Sequence, residues 1–132
     1  MSHTLHPRQT EELRNSLKAR ARQLREEIQQ TLKKSDDEQY TMIADQVRDL
    51  EDDSFADLMV DVNLAEIDRD LQELRLIDAA FLRMSAGTYG HCDGCGTPIE
   101  IERLRATPFA SRCFDCQSSY ERTHVQNIGH TL

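Results

Sequence analysis
The chain has 132 residues, of which 38% are hydrophobic, 5% aromatic and 30% charged, with no tryptophan and a formal net charge of −8. That is room for one domain or a small module with an extended arm, and it suits long solvated helices better than a packed sandwich. No apolar run approaches the roughly 20 residues of a membrane span, and residues 1–10 are polar without a signal-peptide core, so a cytoplasmic protein is expected.

The first element in chain order starts at Pro7, with Glu11 and Glu12 in the early turns, a pattern that opens helices. Leu13, Leu17, Leu24, Ile28 and Leu32 then recur at spacings of four and seven, giving one narrow apolar stripe. Neither glycine nor proline occurs from residue 8 to 86, so no sharp break is expected, only a kink at the polar residues 35–38. Tyr40, Ile43, Val47 and Leu50 are expected to resume the stripe. A second stripe follows at Val60, Leu64, Ile67, Leu71, Leu74, Asp78 and Phe81, a heptad seam with one polar position. Stripes this narrow bury most economically against each other. The expected fold is therefore all-α: a long antiparallel helical hairpin, or coiled coil, over residues 1–86. A dimeric coiled coil is the competing arrangement.

Charge is concentrated where the hairpin must turn. Residues 49–75 hold two Arg and ten Asp/Glu, which alone accounts for the net −8. The turn is expected near residues 45–55, with an acidic tip. Affinity for a duplex comes largely from neutralising phosphates. A direct DNA binder is accordingly disfavoured, and Arg103, Arg105 and Arg112 are too few for a phosphate track. Carboxylates in such a cluster can bind a cation or simply be solvated, and both readings stay open for Asp49, Glu51, Asp52 and Asp53.

Gly87 and Gly90 are expected to end the second helix. The four cysteines of the chain follow as two Cys-x-x-Cys pairs, Cys92/Cys95 and Cys113/Cys116, with seventeen residues between the pairs. Two tight turns of this kind complete a tetrahedral thiolate shell around one structural zinc ion. Iron–sulfur, a redox dithiol and two disulfides are the alternatives. With four cysteines at hand, His91 is read as a turn residue. A short last helix is expected from about Phe114 to Asn127, so that residues 87–132 form a finger plus helix. No nucleophile with a visible base, phosphate-cradling glycine loop or helical His-Glu-x-x-His occurs, and no enzyme is expected.

The stretch from Gly87 to Ile99 (GTYGHCDGCGTPI), Arg103-Leu104-Arg105-Ala106-Thr107-Pro108, and Cys113-Phe114-Asp115-Cys116-Gln117 resemble the DksA/TraR zinc-finger family. The resemblance spans nearly the whole chain and is strongest over residues 60–120. It implies a paralogue rather than the family's namesake: a monomeric helical hairpin on a base with one zinc ion. It further implies a transcription regulator that enters the secondary channel of bacterial RNA polymerase, without sequence-specific DNA binding, often together with ppGpp in the stringent response. In the family's tip motif, Asp-x-x-Asp-x-Ala, Asp49 and Asp52 match and Ser54 replaces alanine. Arg69 matches a basic position implied to touch the channel rim. Leu76 and Gln117 stand about where lysines that help hold ppGpp are expected. A zinc-stabilised adaptor for another protein is the rival function.

Overall fold
The computed structural model describes residues 5–47 and 65–129. It contains α1 (Pro7–Lys33), α2 (Glu38–Val47), α3 (Ala65–Ala86), α4 (Ile101–Ala106) and α5 (Phe114–Gly129). Among the described residues there is no strand, only an isolated antiparallel bridge between His91 and Pro98. The chain divides into two compact units, Leu17–Asp78, and Met1–Ser16 with Ala79–Leu132. Each long helix therefore contributes to both.

In the unit Leu17–Asp78, α1 buries Leu17, Leu24, Ile28 and Leu32 as its stripe requires, and adds Ala21. From α3 come Ile67, Leu71, Leu74 and Ile77. The two helices run in opposite directions: Arg20 meets Glu73, whereas Glu27, two turns further along α1, meets Asp70, nearly one turn earlier on α3. The Arg20 guanidinium grips Glu73 with two bonds, Nε to Oε2 at 2.6 Å and Nη2 to Oε1 at 3.0 Å. This planar fork raises the Arg20 pKa and gives the pair more directional specificity than a lysine could supply. Beside it, the hydrogen bond between the Glu27 and Asp70 carboxyls raises the Glu27 pKa, because two carboxylates share a site best when one keeps its proton.

Three sequence expectations change. Residues 35–38 are a full break rather than a kink. α1 stops at Lys33, and Asp37 starts a new helix by accepting the Gln39 amide on Oδ1 at 2.9 Å. A short polar side chain at this position satisfies an amide that a continuous helix would have bonded internally, which is how a chain without Gly or Pro breaks its helix. α2 then packs back on α1, burying Ala44 and Val47, with Gln29 Nε2 donating to the Ala44 carbonyl at 3.2 Å. Ala44 replaces Tyr40 and Ile43, which are only half-buried. The α3 seam also departs from the strict heptad: Ile77 and Ala80 are fully buried, while Asp78 and Phe81 are half-buried. A straight helix drifts from a 3.5-residue repeat, and burying Ile77 avoids desolvating the Asp78 carboxylate. Val60, Leu64 and Leu50, and the tip residues Asp49, Asp52 and Ser54, lie outside the described residues.

The other unit buries Leu13, Ala80, Tyr89, Cys92, Ile99, Leu104 and Ala110. α3 enters it and ends in a Schellman turn: Gly87 at φ +79° donates to the Met84 carbonyl at 3.3 Å, and Thr88 donates to the Arg83 carbonyl at 2.9 Å. Gly90, at φ +88°, leaves room for Leu5, whose Cδ1 would stand 2.9 Å from an added Cβ.

Leu24→Ala, at a fully buried stripe position, should lower stability by about 2–5 kcal/mol. Leu82→Ala, at a side chain 71% exposed, should change it by no more than about 0.5 kcal/mol. Urea denaturation followed by circular dichroism separates the two; equal losses would show that the stripe is not the core.

Candidate functional site
The first cysteine pair sits on a tight turn built by backbone bonds. The Cys92 amide donates to the Thr97 carbonyl at 2.8 Å, the Gly96 amide to the Cys92 carbonyl at 2.9 Å, and the Ile99 amide to the Gly90 carbonyl at 2.7 Å. Gly96 takes φ +79°, which disfavours any side chain there. The second pair opens α5: Cys113 precedes its first residue and Cys116 lies in its first turn.

The four sulfurs converge, all within 4.8 Å of one another, with Cys95 Sγ 3.8 Å from Cys113 Sγ. Zinc–sulfur bonds of roughly 2.3 Å set tetrahedral sulfur–sulfur edges at roughly 3.8 Å, so this donor set fits zinc. Amides already point at the sulfurs, Gly94 N to Cys92 at 3.3 Å and Cys116 N to Cys113 at 3.4 Å. Thr97 Oγ1 lies 2.9 Å from Cys95 Sγ. Such donors spread thiolate charge and orient the ligands. The spacing alone did not single out Thr97. A hydroxyl two residues beyond a ligand cysteine is the signal that could have found it.

Ionisation within the cluster is uneven. Burial raises the Cys92 pKa, but the Cys113, Cys95 and Gly94 amides outweigh it and bring it down to about 6. Cys116 is pushed up to about 12 by hydrogen bonding to Cys92, Cys113 and Cys95. In the metal-free fold the thiolate is favoured at Cys92 and Cys95, and the proton at Cys116. A bound dication would hold all four as thiolates. Four thiolates fill a tetrahedral shell and leave no position for substrate or water, so zinc here acts as a structural crosslink.

The arginines that could have formed a phosphate track are engaged internally. Arg103 Nε donates to the Arg112 carbonyl at 2.9 Å, Arg105 pairs with Glu12 and Glu102, and Arg112 lies 3.9 Å over the Tyr120 ring. Arg69 is exposed on α3, in the other unit from the cysteines. His91 is half-buried and forms the isolated bridge to Pro98 rather than a turn. No described helix is long and apolar enough to cross a membrane.

Residues 87–122, which contain both cysteine turns, match the family described as prokaryotic dksA/traR C4-type zinc finger. Residues 87–122 are thus a DksA/TraR-type C4 zinc finger. This finger takes one zinc ion. The similarity extends well beyond the finger. The RNA polymerase-binding transcription factor DksA of Escherichia coli strain K12 is 28% identical over 116 residues, 88% of this chain and 74% of that protein. Among solved structures, the DnaK suppressor protein of Agrobacterium tumefaciens C58 is 29% identical, with a TM-score of 0.55 over 83% of this chain and 91% of that one. Transcription factor DksA2 of Pseudomonas aeruginosa, at 21% identity, shares the fold with a TM-score of 0.62 over 94% of this chain and 92% of that one.

Two outcomes test the DksA/TraR finger's metal centre. A Cβ at Gly94 would stand 3.1 Å from Cys116 Sγ, so Gly94→Ala should weaken zinc binding by about ten-fold in chelator competition, the low end for disturbing a ligand's surroundings. Unchanged affinity would mean the turn has slack. A lowered thiol pKa contributes stability above the ordinary thiol range and loses it as pH falls through the folded value, about 6 for Cys92. Zinc affinity, followed with a chromophoric chelator, should therefore rise with pH and collapse below about 6. A flat profile would contradict the thiolate assignment.

Proposed function
We propose that this protein is a non-enzymatic, cytoplasmic, monomeric transcription regulator that binds bacterial RNA polymerase directly and modulates initiation through the secondary channel, without sequence-specific DNA binding. The observation that carries the reading is a closed four-thiolate centre in a DksA/TraR finger, joined to an antiparallel pair of helices, in a chain similar over 88% of its length to a polymerase-binding factor. Cys92, Cys95, Cys113 and Cys116 hold the zinc. Residues 1–86 act as the inserting hairpin, and residues 87–132 as its zinc-bearing base. Asp49 and Asp52, with Ser54 beside them, form the active tip near residues 45–55 and approach the polymerase's catalytic magnesium. The net −8 of residues 49–75 suits such a cationic environment. Arg69, exposed on α3, contacts the channel rim.

ppGpp is a candidate co-effector in the complex. Leu76 and Gln117 supply no cation there, so the effect on initiation should depend weakly on it. Serine in place of the tip alanine favours one second reading, a zinc-stabilised adaptor that keeps the fold and binds another protein without acting on initiation.

In vitro transcription from a ribosomal-RNA-type promoter tests both. The protein should alter initiation, and Asp49→Asn/Asp52→Asn should abolish the effect while polymerase binding persists. No effect from folded, zinc-loaded protein would sink the secondary-channel reading and favour the adaptor.

A further inference from the structure
Residues 108–112 link α4 to the second cysteine pair and form neither helix nor strand. A half-buried backbone of this kind needs partners for its carbonyls. Here five consecutive carbonyls are each met by a donor from elsewhere in the same unit. Tyr89 Oη donates to the Pro108 carbonyl at 2.7 Å. Arg83 Nη2 lies 3.2 Å from the Phe109 carbonyl and 3.5 Å from that of Ala110. The Asp93 amide donates to the Ser111 carbonyl at 2.8 Å, and Arg103 Nε to that of Arg112 at 2.9 Å. Asp93 lies between Cys92 and Cys95, so its bond ties this segment directly to the first cysteine turn.

We infer that Arg83, Tyr89 and Arg103 are positioning residues for the zinc centre, holding residues 108–112 as a strap that sets where Cys113 and Cys116 stand. The inference rests on the four-cysteine ligand assignment above. Two cysteine turns separated by seventeen residues must be brought together before one ion can bridge them, and the entropy of closing that loop opposes binding. A strap already fixed by side chains removes much of that opposition, which is how preorganisation raises affinity. The three donors come from the end of α3, the turn after it and α4, so the strap is held on three sides.

Arg83 is the hub. Its carbonyl accepts the Thr88 and Tyr89 amides that end α3, while its guanidinium holds the strap. Its Nε is buried with no hydrogen-bond partner among the described residues. Leaving a donor unmet is costly, and the observed placement is the one that keeps Nη2 on the strap. Tyr89 is well suited to its role: burial pushes its pKa up to about 12, so it remains a donor throughout the neutral range.

The experiment uses the full chain, with Tyr89→Phe, Arg83→Met, Arg83→Lys and Arg103→Met. Zinc affinity is measured by chelator competition, and metal-site geometry by the visible spectrum of the cobalt(II)-substituted protein. The rate at which each of the four cysteines is alkylated as chelator removes the metal is read by mass spectrometry. Tyr89→Phe, which keeps the ring and loses only the hydroxyl, and Arg83→Met should each weaken zinc binding by about 10–100-fold at unchanged helix content. Arg83→Lys should recover part of the loss, because an ammonium can still reach one carbonyl. Relative to the parent, alkylation of Cys113 and Cys116 should be accelerated in the variants more than that of Cys92 and Cys95. Variants that bind zinc within about two-fold of the parent, well inside the range for such supporting groups, would overturn the inference. So would equal acceleration at all four cysteines, the signature of general unfolding. Should Arg83→Met not fold, Tyr89→Phe alone decides between these outcomes. If instead Cys→Ser variants of the parent retain full zinc affinity, the ligand assignment fails first and the strap inference falls with it.

Discussion
Four thiol sulfurs within 4.8 Å of one another form an arrangement that only a cation makes comfortable. As thiolates they repel. Without a metal, backbone amides draw the Cys92 pKa down while hydrogen bonding to the other cysteines pushes that of Cys116 up. The unit around them has few large buried side chains, chiefly Leu13, Tyr89, Ile99 and Leu104. A core of that size stabilises little by itself, and small modules of this kind use a metal where a larger domain would use apolar area. The tight turns at Gly94 and Gly96, the three-residue offset of Cys113 and Cys116 across the start of α5, and the held segment between α4 and α5 all serve that one convergence.

The helical unit solves a different problem. Each long helix carries a stripe too narrow for a wide core, so α1 and α3 cover each other, and α2 covers what remains of α1 through Ala44 and Val47. The flanks are then lined by polar contacts that fix direction and register. The Arg20–Glu73 fork and the Glu27–Asp70 pair require α3 to run opposite to α1. Partly exposed pairs of this type add little stability. Their contribution is to disfavour a slipped register, which would leave carboxylates facing one another without the guanidinium.

Electrostatics also separates the finger from the acidic middle of the sequence. The arginines of the finger region are committed to the Arg112 carbonyl, Glu12, Glu102 and the Tyr120 ring. The excess negative charge lies in residues 49–75. A finger whose cations are already engaged is poorly equipped to grip phosphates. That agrees with the proposed role in which the partner is a protein with a basic channel and the finger is a base rather than a reader of nucleic acid.

The sequence by itself determined the all-helical class, the α1 stripe from Leu13 to Leu32, the end of α3 at its glycine and the four-cysteine zinc centre. In each case the decisive physics is local. A repeat of three and four residues places side chains on one helix face, and two intervening residues bring two sulfurs to one side of a turn. Tertiary structure decided the rest. Whether Asp78 or Ile77 is buried depends on what the neighbouring surfaces present, and a one-residue change in spacing cannot report that. Residues 35–38 are compatible with a bend or a break, and in the folded chain the break is capped by Asp37 and lets α2 fold back to bury Ala44. The roles of Arg83, Tyr89 and Arg103 were invisible for the same reason. Their partners are carbonyls, which every residue carries, so no side-chain pattern marks them. Only the folded chain shows which carbonyls are left needing a donor.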